Sequence, residues 1–200
     1  MKKIELLGID PQYDFCDIPE QYRARTIDLE SGKEIITNPA LPVSGAWEDS
    51  IKLAKFIKNA GHLITQMTIT LDTHQQYDIA HSLFWKDKSG QHPNPFTLIS
   101  NEQIRNGEWT PVDISKREYT LEYTKSLESA GMYQLFIWPS HCLVGTVGHN
   151  VIAPIMNELM DWERKYIGRV NYVTKGHNPY TEHYGGFQAE YPLHHDNTTQ

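Results

Sequence analysis

Asp72 and His74 stand two residues apart, where the β-branched run of residues 62–71 (HLITQMTITL) gives way to polar sequence. In extended backbone, side chains at i and i+2 point to one face, so both groups can reach one ion. His141 follows another apolar run and supplies a third ligand of the right kind. One carboxylate and two imidazoles leave coordination positions open, as a catalytic rather than a structural metal site requires. Zinc, iron(II) and manganese all suit that donor set. His81 and His92, in the intervening sequence, could add a further ligand. Ten histidines in 200 residues also produce pairings by chance. His92, His62, His149, His177, His183, His194 and His195 are therefore read as surface or hydrogen-bonded residues.

Asp10 and Lys175 form a second pair, an acid and a lysine at the ends of two other apolar runs. Two readings stand level. The pair is a plain salt bridge, or it activates a nucleophile, the carboxylate taking the proton and the ammonium stabilising developing charge. Cys142, beside His141, would have its pKa lowered by a nearby cation or metal. Neighbours in a strand-end turn point different ways, however. With His141 facing a metal, Cys142 is expected to pack inward as a small hydrophobe. Cys16 has no evident activating partner, so neither cysteine is read as the nucleophile.

The elements that must position these groups alternate along the chain. Residues 3–9 (KIELLGI) read as a short buried strand ending at Asp10-Pro11. Residues 16–45, punctuated by Pro19, Gly32, Pro39, Pro42 and Gly45, read as a long loop or small hairpin. Trp47, Ile51, Ala54 and Ile57 recur at helical spacing up to Gly61, and residues 62–71 form a second strand. Residues 75–112 hold Phe84, Trp85, Phe96 and Trp109 among several prolines and glycines. A long loop so rich in aromatics is expected to be packed and functional. A helix is predicted over 117–130, with Tyr119, Tyr123, Leu127 and Ala130 on one face and Leu121 off it. Residues 133–138 (YQLFIW) read as a third strand ended by Pro139, 150–166 as a helix with Pro154 in its first turn, and 169–173 (RVNYV) as a fourth strand. The pattern predicts an α/β fold, a mostly parallel sheet covered on both faces, as a single domain over 1–200. In such sheets the ligand site lies beyond the carboxyl ends of the strands. All four strands end there in polar or titratable groups: Asp10, Asp72-Thr73-His74, Ser140-His141-Cys142 and Lys175.

Composition narrows the functional classes. A net charge of −7 with no clustered stripe of Lys and Arg argues against a nucleic-acid or anionic-membrane partner. No run reaches the ~20 apolar residues of a spanning helix, and Glu5 and Asp10 interrupt any signal-peptide core. Two cysteines cannot build a disulfide framework, which points to a reducing, cytoplasmic setting.

Residues 9–15 (IDPQYDF) resemble the opening motif of the isochorismatase-like cysteine hydrolases. Asp72-Thr73-His74 and residues 138–146 (WPSHCLVGT) resemble the two metal-site motifs of the nicotinamidase branch. Lys175-Gly176, followed by Tyr180 and Phe187, resembles the segment that carries that family's catalytic lysine. The motifs fall in family order from residue 3 to about residue 191. The resemblance implies a three-layer αβα fold, with Asp10 as general acid/base and Lys175 supporting the nucleophile and oxyanion. It implies a divalent metal, often zinc, held by Asp72, His74 and His141 with His81 as a fourth ligand, and Phe15 near the substrate. The reaction implied is attack of a cysteine on the carboxamide of nicotinamide or a related small amide, loss of ammonia, and hydrolysis of the thioester. In the family that cysteine follows the lysine, yet no residue after Lys175 is a cysteine. The nucleophile and the last strands are therefore expected beyond residue 200 or on a partner chain. The alternatives are a relative that only binds a metal and a small aromatic ligand, and a hydrolase that uses metal-bound water. An incomplete sheet exposes an edge, which favours a homo-oligomer or a completing second chain.

Overall fold

The computed structural model describes residues 3–129, 131, 133–193 and 195–198. In chain order its strands are β1 (Glu5–Gly8), β2 (Arg25–Ile27), β3 (Glu34–Ile36), β4 (Gln66–Asp72), β5 (Trp85–Lys86), β6 (Leu98–Ile99), β7 (Thr110–Pro111), β8 (Leu135–Phe136) and β9 (Val170–Lys175). The helices are α1 (Ala46–Ala60), α2 (Asn101–Arg105), α3 (Arg117–Ser129) and α4 (Ala153–Tyr166). The chain divides into two compact units, Met1–Asp72 with Val144–Thr174 and Thr73–Leu143 with Lys175–Gln200.

The first unit is built on a sheet ordered β1-β4-β9, in which β1 and β4 run parallel with Glu5 opposite Gln66 and Gly8 opposite Ile69. Alternation along β4 sends Met67 and Ile69 into a core shared with Val170 of β9, Ala54 and Ile57 of α1, and Ile155, Leu159 and Trp162 of α4. Helix α1 thus buries Ala54 and Ile57 of the face that helical spacing predicted, with Trp47 partly buried against the core. No side chain of its own caps α1, which starts after Gly45; the Asp17 carboxylate does so, accepting from the N–H groups of Gly45 and Trp47 at 2.8 Å each. Pro154 sits in the first turn of α4, where its missing N–H costs nothing. Two glycines make room for Trp162: a Cβ on Gly168 would lie 2.4 Å from the indole ring and one on Gly61 3.0 Å from it. The indole N–H donates to the Gly61 carbonyl at 3.0 Å. Residues 16–45, read as a long loop or small hairpin, contain a hairpin over 25–36, β2 pairing antiparallel with β3, within otherwise irregular chain.

The first strand differs from expectation. It was read as buried, but Leu7 is 58% and Ile9 69% exposed, while Gly8 between them is buried. The reason is position: β1 is an edge of the described sheet, and α1 and α4 contribute to the core on the Gly8–Ile69 side.

In the second unit, residues 75–112 are packed, as their aromatic content predicted. Phe84 and Trp85 are fully buried with Ile99, Ile104, Tyr123 and Leu127. The short α2 is secured by a reciprocal capping box of Ser100 and Gln103, and Asn101 donates to the Leu121 carbonyl and Thr124 hydroxyl of α3. Helix α3 buries Tyr123 and Leu127, with Tyr119 and Leu121 partly buried against the same cluster; Ala130 lies outside the described residues. The run 133–138, expected as a strand of the parallel sheet, instead pairs antiparallel as β8 with β6. The strand ends at Phe136, before Pro139. Beyond it Ile137 donates to the Thr97 carbonyl at 2.9 Å, and single parallel bridges join Trp138 to His81 and Leu143 to His74. Among the described residues no helix is long and apolar enough to cross a membrane.

Candidate metal centre

The parallel bridges of the second unit bring three predicted ligands together. His74, His81 and His141 are all buried. Their ring centroids lie 4.8 Å apart for His74 and His141, 5.2 Å for His74 and His81, and 5.5 Å for His81 and His141. Each ring is held by its Nδ1: His74 by Asp78 Oδ2 at 3.0 Å, His81 by the Gln75 carbonyl at 3.0 Å, His141 by the Pro139 carbonyl at 2.8 Å. Carbonyl and carboxylate oxygens only accept, so each Nδ1 is the donor in its bond. This is the arrangement found in metal-binding histidines, whose second nitrogen is tied to a carboxylate or carbonyl.

His81 supplies the test of fit. Its Nε2 is buried with no hydrogen-bond partner, an acceptor that would cost free energy if nothing met it. Burial pushes His81 down to about pKa 4; Asp78 opposes that shift, while His74 and His141 add to it. The ring is therefore neutral at neutral pH, the form that binds metal. A neutral His81 with an orphaned Nε2, beside two more buried imidazoles held through Nδ1, fits a divalent ion. His81, which resemblance placed only as a fourth ligand, is buried with its ring 5.2 Å from that of His74 and 5.5 Å from that of His141.

Asp72, the last residue of β4, belongs to the first unit. Its carboxylate is buried, and both its backbone groups are clasped by the Gln12 amide at 2.7 Å. Asp10 adopts a left-handed conformation (φ 46°) immediately after β1. Thr70 holds it twice: its hydroxyl accepts from the Asp10 N–H at 3.0 Å and donates to Asp10 Oδ1 at 2.6 Å. Asp10 and Phe15 line one cavity of about 810 Å³. Lys175, last in β9 and buried, belongs to the second unit and donates to the His183 carbonyl at 3.2 Å. Cys142 is fully buried at φ 47°. Cys16 is buried with its Sγ 3.5 Å from the Ser50 hydroxyl. Burial pushes that thiol up, against the hydrogen bond from Ser50, so the thiolate is disfavoured.

Three site residues were not identified from the sequence. Asp78 had a visible signal, a carboxylate four residues after His74. Gln12 lay inside the opening motif but looked like an ordinary polar residue. His183 gave no signal, because its role is carried mostly by its carbonyl.

No family model matches the sequence, and no curated protein matches it. Among solved structures the chain is similar to the yeast nicotinamidase, with TM-score 0.54 and 17% identity over 92% of this chain and 62% of that one. The same enzyme bound to the inhibitor nicotinaldehyde aligns with TM-score 0.54 and 17% identity over 94% and 63%. An Acinetobacter baumanii nicotinamidase/pyrazinamidase aligns with TM-score 0.49 and 14% identity over 95% and 59%. The chain thus has the α/β fold of the nicotinamidases and spans about 62% of the length of the yeast structure.

Proposed function

We propose that this chain carries the metal centre and two catalytic side chains of a nicotinamidase-type amide hydrolase acting on nicotinamide or a related small amide. The observation that carries this reading is the trio of buried imidazoles whose Nδ1 atoms are held, with a buried, unpartnered Nε2 on His81. His74, His81 and His141 would hold the ion, and Asp72, two residues before His74, would add a carboxylate; zinc is the first choice, with iron(II) or manganese also suited. When bound, the metal supplies a Lewis acid that orients a pyridine-type ring nitrogen and fixes the amide for attack.

The chain's own residues do the rest. The Asp10 carboxylate, pinned by Thr70, accepts the proton of the nucleophilic thiol and later returns it to the leaving ammonia. The Lys175 ammonium, fixed by the His183 carbonyl, balances the negative charge of thiolate and oxyanion. Phe15, in the cavity with Asp10, offers an apolar wall to an aromatic substrate. Burial of Cys16 and Cys142 supports placing the nucleophile on polypeptide outside these 200 residues, either further along the same protein or on a partner, which includes a second copy. Two cysteines joined by no disulfide are in keeping with a cytoplasmic enzyme. The same burial favours, as the second reading, a chain that binds metal and a small aromatic ligand without turning it over.

The test combines intact mass of the natively expressed protein, metal analysis and ammonia release from nicotinamide. A heavier chain or a cysteine-bearing partner, with bound metal and turnover, is the expected result. A homogeneous 200-residue protein that releases ammonia would overturn the outside nucleophile and direct attention to Cys142 or to water. The same protein with metal and no turnover would establish the second reading.

A further inference from the structure

Asp78 is buried and uses every acceptor it has on the histidine cluster. Its Oδ2 accepts from Nδ1 of His74 at 3.0 Å. Its Oδ1 accepts from the Ala80 N–H at 3.0 Å, closing the turn that leads into His81. Its backbone carbonyl accepts from the His81 N–H at 2.9 Å. One residue therefore fixes the ring of the first histidine and the chain position of the second. The other supports are independent of it: His81 Nδ1 rests on the Gln75 carbonyl and His141 Nδ1 on the Pro139 carbonyl. Removing Asp78 would take the Nδ1 support from His74 and loosen the approach to His81, while the Pro139 support of His141 would stay.

We infer that Asp78 is the positioning residue of the metal centre, coupling His74 and His81 so that both present Nε2 to one ion. The inference rests on the proposed metal centre and assigns a role within it. A carboxylate is required rather than any polar group. An asparagine could accept from Ala80 N–H or from His74 Nδ1–H, but not from both, because its second terminal atom is a donor. An asparagine that holds the turn presents its NH₂ to His74 and drives that ring toward the tautomer with the proton on Nε2, which cannot bind metal.

Two measurements decide it. In the metal-free wild-type protein, long-range ¹H–¹⁵N correlations of the imidazoles are expected to show His74 protonated at Nδ1; an Nε2-protonated His74 overturns the inference without any variant. Cobalt(II) titration with a competing chelator, read from the ligand-field bands, then compares wild type with Asp78→Asn and Asp78→Ala. The expected losses of affinity are about 10-fold for the asparagine and up to about 100-fold for the alanine, the range typical of supporting residues around a metal. Bands and affinity equal to wild type in both variants would overturn the coupling. Thermal melts of the metal-free proteins control for folding; if the alanine variant does not fold, the asparagine variant, which keeps the turn, decides. A wild-type protein that shows the expected tautomer yet takes up no cobalt would remove the metal centre itself, a failure distinct from wild-type binding that is indifferent to Asp78.

Discussion

Lys175 and His183 grip one another at two points. The lysine ammonium donates to the histidine's carbonyl at 3.2 Å, and the N–H of Gly176, next along the chain, donates to that histidine's Nδ1 at 3.3 Å. A cation in buried surroundings is thereby met by a neutral acceptor.

Under the hydrolase reading, Lys175→Met in the complete enzyme should lower kcat by about 10²- to 10³-fold, the usual loss when a charge-stabilising donor is removed. His183→Ala keeps the carbonyl and should cost far less. Ammonia release across a substrate series checks both, and equal losses would mean that the His183 ring does more than hold Gly176.

His81 makes stability depend on pH in a definite direction. Its folded-state pKa is about 4 against the ordinary 6.5, so between those values the unfolded chain binds the extra proton. The contribution is complete above pH 6.5, shrinks as pH falls, and is gone by about pH 4; its size is at most ~3 kcal/mol. Denaturant midpoints of the metal-free protein across that window should fall with pH, and His81→Gln should flatten the slope. Bound metal should raise the midpoints and steepen the acid loss, because protons compete for the same Nε2 atoms.

Thr70 serves Asp10 from both sides, so Thr70→Val removes two hydrogen bonds at nearly constant volume. A loss of about 1–2 kcal/mol in stability is expected. Turnover should drop with little change in KM, since Asp10 would be displaced rather than lost. Asp10→Asn should lower kcat by about 10²- to 10⁴-fold. Turnover by that variant at the wild-type rate would assign the proton transfer elsewhere.

Trp162, wedged where Gly61 and Gly168 give it room, anchors α4 to the core. Trp162→Ala should cost about 3–5 kcal/mol, and Gly168→Ala should also destabilise because its methyl would overlap the indole. Chemical denaturation followed by circular dichroism would measure both. Cys16→Ala and Cys142→Ala should leave the chemistry of the complete enzyme intact; abolished turnover in either would restore that cysteine as nucleophile.

The sequence made the elements of the first unit readable because their periodicity is local. Ala54 and Ile57 share a helix face, Met67 and Ile69 a strand face, and Pro154 marks a first turn. It also offered Asp72, His74 and His141 as candidate ligands from strand-end placement and residue type, with His81 a further candidate in the intervening sequence. What it could not show depends on long-range pairing. Residues 133–138 have the composition of a sheet strand, but nothing local reveals that Leu98 and Ile99 are their partners. The burial of residues 3–9 was overestimated for the same reason, since an edge strand and a central one can share a sequence. His183 was invisible because a backbone carbonyl has no sequence signature, and the ring positions of His81 and His141 depend on carbonyls of Gln75 and Pro139 that have none either.

Leu7 in β1 and Ile9 just beyond it are exposed, and the outer edge of β1 pairs with no other described strand, which bears on how these 200 residues behave in the laboratory. Apolar side chains beside unsatisfied backbone form a template on which another extended chain can add, including another molecule of the same kind. The colloidal behaviour of the isolated polypeptide is then governed by four residues at one margin rather than by the strength of its core. A charge placed at Leu7 should raise the concentration at which it stays dispersed, whereas further strengthening of the packing around Trp162 should leave that limit where it is.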